Sequence, residues 1–180
     1  MRDEIKKNAI ILHLEEIRKR ILVCLTTLLL TSAIGFRFVE GVRRMLLFPA
    51  EEIKLIYTSP AEAFVVNIRV AIFIGIIMAM PMFIAQFLAY ILPALYRNEK
   101  RVLVPTIFSM LALFIVGVIF SYKIAFPFTI KFFLQFASSD LIPMFTITEY
   151  ISFAVKFLLS FGIIFQLPLL FVILGLMNVV

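Results

Sequence analysis

The chain has 180 residues, 63% of them hydrophobic and 16% charged, with a formal net charge of +6. Soluble domains carry about 45–50% apolar and about 25% charged residues, so this composition excludes an ordinary water-soluble fold and makes lipid the expected solvent. The cationic surplus does not point to nucleic acid, because the basic residues border the apolar runs and the aromatic residues lie within those runs.

The N-terminal stretch AIILHLEEIRKR puts Ile10, Leu14, Ile17 and Ile21 on one helical face. It also sets Glu15/Lys19 and Glu16/Arg20 at i,i+4 in the favourable order, each pair worth about 0.2–0.5 kcal/mol. An amphipathic helix at the membrane interface is expected there. It is too charged for a cleaved signal peptide, and no small-residue cleavage site follows. The uncharged run Ile21–Phe36 comes next. Spanning a bilayer takes about 17–25 helical residues, so this run needs a flanking turn, with Arg20 and Arg37 snorkelling at its ends. Val70–Tyr96, Val102–Tyr122 and Phe157–Val180 are three further uncharged runs. Alternating ten-residue segments, the mark of a spanning barrel, are missing. The expected architecture is one all-α integral membrane domain over residues 1–180, with four spans near 20–39, 61–91, 99–122 and 148–176.

Local signals mark the helix starts. Ser59-Pro60-Ala61-Glu62 reads as a capping box with proline at the first helical position, and Thr146-Ile147-Thr148-Glu149 repeats the box before the fourth span. Asn98 is placed to cap span three, with Glu99 in its first turn. Pro81 and Pro168 each remove a backbone hydrogen bond and are expected to bend helices two and four. Pro127 and Pro143 bracket a short segment expected to form an interfacial half-helix outside span three. Nine basic residues lie before span one or between spans two and three, against six in the two loops on the other side. The bias places both termini in the cytoplasm.

Chemistry-bearing motifs are few. His13 is the single histidine and Cys24 the single cysteine, so no disulfide, thiol metal site, catalytic cluster or cofactor site is expected, and no phosphate-binding GxxxxGK[ST] occurs. Four features stand out. Glu16 belongs to the N-terminal helix. Glu99 sits among Arg97, Lys100 and Arg101, where a carboxylate also complements a helix start. Arg69 and Lys156 lie about a third of the way into their spans, at a depth where a charge costs at least about 2.5–3.5 kcal/mol unless it snorkels or lines a polar cavity. Gln166 lies deep in span four, two residues before Pro168, where its amide meets either a carbonyl freed by that proline or a neighbouring helix.

In chain order, HLEEIRKR, FPAEEIKLIYTSPAEAF, PALYRNEKRVLVP and YISFAVKFLLSFGIIFQLP resemble the TatC family, the multispanning core of the twin-arginine protein translocase. The resemblance covers nearly the whole chain. It implies a receptor for signal peptides at the cytoplasmic membrane that exports folded proteins, with no catalytic residues of its own. It implies that Glu16 and Glu99 dock the arginine pair, that Arg18, Tyr90 and Leu95 are linked to that site, and that Pro49 shapes the outer cap. It further implies single-span TatA/TatB-like partner subunits and a complex holding several copies of the chain. Two departures accompany it: the family resembles a six-span design whereas this sequence stops after the fourth span, and Gln166 stands where the family commonly has Glu, so only a polar-contact role carries over. Two other readings remain open at this stage. A small transporter or channel would depend on Arg69, Lys156 and Gln166 and tolerate change at Glu99, while a structural scaffold would tolerate change at both sets.

Overall fold

The structure, a computed structural model, describes residues 2–50, 55–91, 100–135 and 145–176. α1 (Arg2–Gly35) runs without a break from the amphipathic segment into the first span, then passes through a 3-10 turn (Phe36–Phe38) into α2 (Val39–Leu47). A second 3-10 turn (Phe48–Ala50) holds Pro49, half-buried, and the short strand β1 (Leu55–Ile56) leads to α3 (Glu62–Ile91). α4 (Lys100–Phe120) continues through a π-helical turn (Ser121–Ala125) into α5 (Phe126–Leu134). β2 (Phe145–Thr146), α6 (Ile147–Ile164) and α7 (Leu167–Leu176) complete the described chain. Among the described residues, four helical stretches are long and apolar enough to cross a membrane: Leu14–Leu47, Glu62–Tyr90, Pro105–Leu134 and Ile147–Val172. The side where α1 enters and α3 ends is called the near rim below; the side carrying α2, β1 and β2 is the far rim.

The third stretch departs from expectation. Pro127 does not open a separate half-helix, because it falls in the first turn of α5, where its missing N–H costs nothing, and the π turn carries the helix past Tyr122. Pro143 and the rest of that segment lie outside the described residues. Pro81 is accommodated inside α3, whereas Pro168 accompanies a full break between α6 and α7 at Phe165 and Gln166. The capping signals read as expected at α6, where the Thr146 hydroxyl accepts the Glu149 N–H at 3.2 Å. At α3, Ser59 Oγ accepts the Ala61 N–H, but Glu62 reaches back one residue further, to the N–H and hydroxyl of Thr58. The parallel pairing of Leu55 with Phe145 and Ile56 with Thr146 joins the starts of α3 and α6 at the far rim.

In lipid, apolar surface gives little drive for helices to associate, so close packing and interhelical hydrogen bonds must do so. α1 lies antiparallel on α3, and their backbones touch at Gly75, where an added Cβ would stand 2.8 Å from both the N and the Cα of Ser32. The Thr31 hydroxyl donates to the Gly75 carbonyl at 2.9 Å across the same contact. Gly162 plays the matching part between α6 and α4, where Phe114 occupies the space a side chain would need. The main core joins Val66, Val70 and Phe73 of α3 to Ile151, Ala154 and Leu158 of α6, closed at the far rim by Leu46 and Phe126. Little of α1 is covered: Leu25, Leu29, Leu30 and Ile34 are exposed, as lipid-facing side chains are.

α2 is held to this core by two tyrosines. Tyr122 Oη donates to the Met45 carbonyl at 2.8 Å and Tyr150 Oη to the Leu46 carbonyl at 2.9 Å. Both acceptors belong to the last turn of α2, where carbonyls run short of intrahelical donors, although the Met45 carbonyl also takes the Phe48 N–H. Tyr150→Phe is expected to cost about 1–2 kcal/mol by stranding a buried carbonyl, and Tyr122→Phe less, because its bond is exposed and the Met45 carbonyl keeps the Phe48 N–H. Thermal unfolding of the detergent-solubilised chain measures both, and a larger loss for Tyr122→Phe would contradict the assignment.

Candidate functional site

The near rim gathers the polar chemistry. Glu16 and Arg20 stand one turn apart on α1, and Arg20 reaches Glu16 Oε1 through Nε at 3.2 Å and Nη2 at 2.5 Å. This is the i,i+4 pair read from the sequence. Arg20 goes further, donating to the Ala89 carbonyl at 3.0 Å and, over longer contacts, to the Gln86 carbonyl at 3.4 Å and Gln86 Oε1 at 3.3 Å. Ala89 belongs to the last turn of α3, where carbonyls lack intrahelical donors and a cation also complements the helix dipole. One guanidinium therefore fastens the Glu16 carboxylate to the end of α3. The side chain of Arg20 is 21% exposed and that of Glu16 43%, so water screens the pair only in part.

Beside this clamp, α1 and α3 leave an open groove of about 390 Å³. Ile17, Ile21 and Cys24 line one wall and Phe83, Phe87 and Tyr90 the other, with Arg20 and Gln86 at its polar end. Tyr90 is exposed and lines the groove with Arg20, whereas Arg18 is exposed elsewhere on α1. Glu99 and Leu95 lie outside the described residues, as does Asn98; they belong to the segment that continues directly from α3. Sequence reasoning missed the half of the Arg20 clamp that crosses between helices. The i,i+4 spacing reveals Glu16 but is silent about partners 66 and 69 residues away.

The intramembrane polar groups are spread out, and they do not converge on one cavity. Arg69 reaches the Thr148 carbonyl at the start of α6, at 3.4 Å. Lys156 is exposed on α6. Gln166 is buried, and its Nε2 donates to the Met110 carbonyl of α4 at 3.1 Å and to the Gly162 carbonyl at 3.4 Å. The Gln166 N–H has turned to the Ile163 carbonyl at 2.9 Å, so the Gly162 carbonyl loses its usual donor and the side chain supplies one. Both meanings of this residue thus appear together: it repairs the helix break before Pro168 and it joins two helices. Among the described residues no group of three His, Cys, Asp or Glu side chains is arranged to hold a metal ion.

Residues 12–180 match the family described as Sec-independent protein translocase protein (TatC). A protein named Sec-independent protein translocase protein TatC from Carboxydothermus hydrogenoformans is 34% identical over 170 residues, covering 93% of this chain and 70% of that protein. The protein of the same name from Aquifex aeolicus is 34% identical over 168 residues, covering 90% of this chain and 70% of its own length. A crystal structure described as the twin arginine translocase receptor TatC superposes with a TM-score of 0.84 at 33% identity, over 93% of this chain and 77% of that one. Sequence, fold and the four apolar helices agree, and the chain belongs to the TatC family, the membrane-embedded core of the twin-arginine, Sec-independent protein translocase.

Proposed function

We propose that the near rim is where this translocase core docks the arginine pair of a signal peptide, with Glu16 and Glu99 as the two acceptors. The observation that carries the reading is the Arg20 clamp, which ties the Glu16 carboxylate to the end of α3 beside an apolar groove. A guanidinium is permanently charged and presents a planar fork of donors, so a carboxylate is its natural partner and lysine is a poorer match. A carboxylate accepts several hydrogen bonds at once, so pairing with Arg20 is compatible with a second guanidinium. Tyr90 and Leu95 then border the approach, and Arg18 is linked to the site from elsewhere on α1. Pro49 shapes the far cap. Single-span partner subunits lie against the wall formed by α3 and α6 with the far cap, with Gln166 as an intramembrane polar contact. The excess of Lys and Arg near the near rim supports a cytoplasmic placement of that side in the cell membrane.

The transporter reading is less favoured, because Arg69, Lys156 and Gln166 do not share a pathway: the first is tied to α6, the second faces outward, and the third is bonded between helices. The test is binding of a fluorescent twin-arginine signal peptide to the lipid-embedded chain. Glu99→Gln and Glu16→Gln are each expected to weaken binding about tenfold or more, the equivalent of one charge-assisted hydrogen bond. A peptide with two lysines should bind the parent chain comparably poorly. Equal affinity for arginine and lysine peptides, or no loss in either variant, would end the proposal.

A further inference from the structure

The far rim carries a second polar pocket that the docking of cargo does not use. The 3-10 turn after α1 borders, with α2 and α3, an open pocket of about 270 Å³ lined by Phe36, Arg37, Val39, Glu40, Arg43 and Asn67. Arg43 Nη1 donates to Asn67 Oδ1 at 2.9 Å. That bond occupies the acceptor end of the amide, so Asn67 offers its NH2 group to anything in the pocket. The Glu40 carboxylate is engaged by Arg44, one turn along α2. Arg37, exposed, has no ion-pair partner among the described residues. The pocket therefore presents a guanidinium with no ion pair among the described residues, the remaining donors of Arg43 and an amide NH2, against one lining carboxylate, Glu40, that is paired with Arg44. Such a set suits a ligand that only accepts hydrogen bonds and carries negative charge.

Its surroundings select among anions. Leu30, Ile34 and Arg37 follow one another at i, i+4 and i+7, so an exposed apolar stripe on α1 leads up to the cation. Phe36 and Phe38, both exposed, flank it where the uncharged run of the first span ends. A ligand lying here would have hydrocarbon against α1 and an anionic group at the level of the bilayer interface. We infer that the Arg37–Arg43–Asn67 pocket binds the phosphodiester headgroup of a phospholipid, whose acyl chains lie along Leu30 and Ile34. A soluble phosphate ester has the same head chemistry without the stripe, and an acidic protein segment has the charge without either.

Native mass spectrometry of the full chain, released from detergent micelles doped with phosphatidylglycerol, tests the inference. The parent chain is expected to retain one lipid molecule. Arg37→Gln should reduce that retention about tenfold, whereas Arg37→Lys, which keeps the charge and loses the fork, should stay within about threefold of the parent. Because Arg37 is exposed and makes no ion pair within the described chain, Arg37→Gln should leave thermal unfolding in lipid-free detergent unchanged, which separates lost binding from lost folding. Glycerol 3-phosphate and a polyglutamate peptide, at the same concentration, should not displace the lipid. Equal retention by Arg37→Gln would overturn the inference. So would full displacement by glycerol 3-phosphate, which would identify a site for soluble anions, or by polyglutamate, which would identify a protein partner.

Discussion

Gly75→Leu is expected to detach α1 from α3 and to prevent folded chain from accumulating in the membrane. Even the first added carbon would stand 2.8 Å from the backbone N and Cα of Ser32, a contact that no rotamer change relieves because the obstacle is main chain. Overpacking alone costs about 1–3 kcal/mol and occasionally more. Here the helices must also separate, losing the Thr31–Gly75 hydrogen bond and the Arg20 clamp at the same time. Against a total stability of about 5–15 kcal/mol that loss is severe. α1 has no other large face to fall back on, since most of its apolar surface is exposed to lipid. Ser32→Ala removes the Oγ conflict but not the backbone one, so it should not rescue the variant. A flexible bifunctional reagent joining Cys24 to a thiol introduced by Phe83→Cys, on opposite walls of the same groove, reads the contact directly. Undiminished crosslinking in Gly75→Leu would show that the interface tolerates separation.

How much of this was legible beforehand follows from the range of each signal. Hydropathy read the four spans because the bilayer forces every backbone group into a local helix, which makes the run of apolar residues the whole code. Capping boxes are also local, and the box at Thr146 appears as read, with the one at Ser59 shifted by a single residue. What failed to show in the sequence depends on distance or on backbone detail. The π turn at Ser121–Ala125 has no residue signature, so Pro127 looked like a breaker although it enters a continuing helix where proline is tolerated. Leu55–Ile56 and Phe145–Thr146 are too short to announce a strand, and they pair only because α3 and α6 start side by side. Nothing local singles out Tyr122 and Tyr150, whose hydroxyls reach the carbonyls of α2 from distant parts of the chain. In the candidate site the same divide appears: Glu16 with Arg20 was visible as a spacing, whereas Ala89 and Gln86 as their partners were not.

Arg20→Lys gives the second large effect, and it separates geometry from charge. Lysine keeps the positive charge beside Glu16, so any long-range influence on an incoming cation is held constant. It is nonetheless a single point donor on a flexible stem and cannot serve Glu16, Ala89 and Gln86 together as the fork does. If Arg20 is a positioning residue for the docking site, the Glu16 carboxylate then loses its tether to α3, and affinity for a twin-arginine peptide is expected to fall about tenfold, near 1.4 kcal/mol. Arg20→Gln would remove the neighbouring cation as well, which by electrostatics alone would strengthen attraction for the peptide; a loss of binding there too means that placement outweighs charge. The discriminating readout is the ratio of affinities for arginine and lysine peptides. That ratio should shrink in Arg20→Lys, since a carboxylate free to wander no longer rewards the planar fork over the point charge. A uniformly lower affinity with an unchanged ratio would mean that Arg20 merely supports the fold, and unchanged affinity would mean that Glu16 needs no tether.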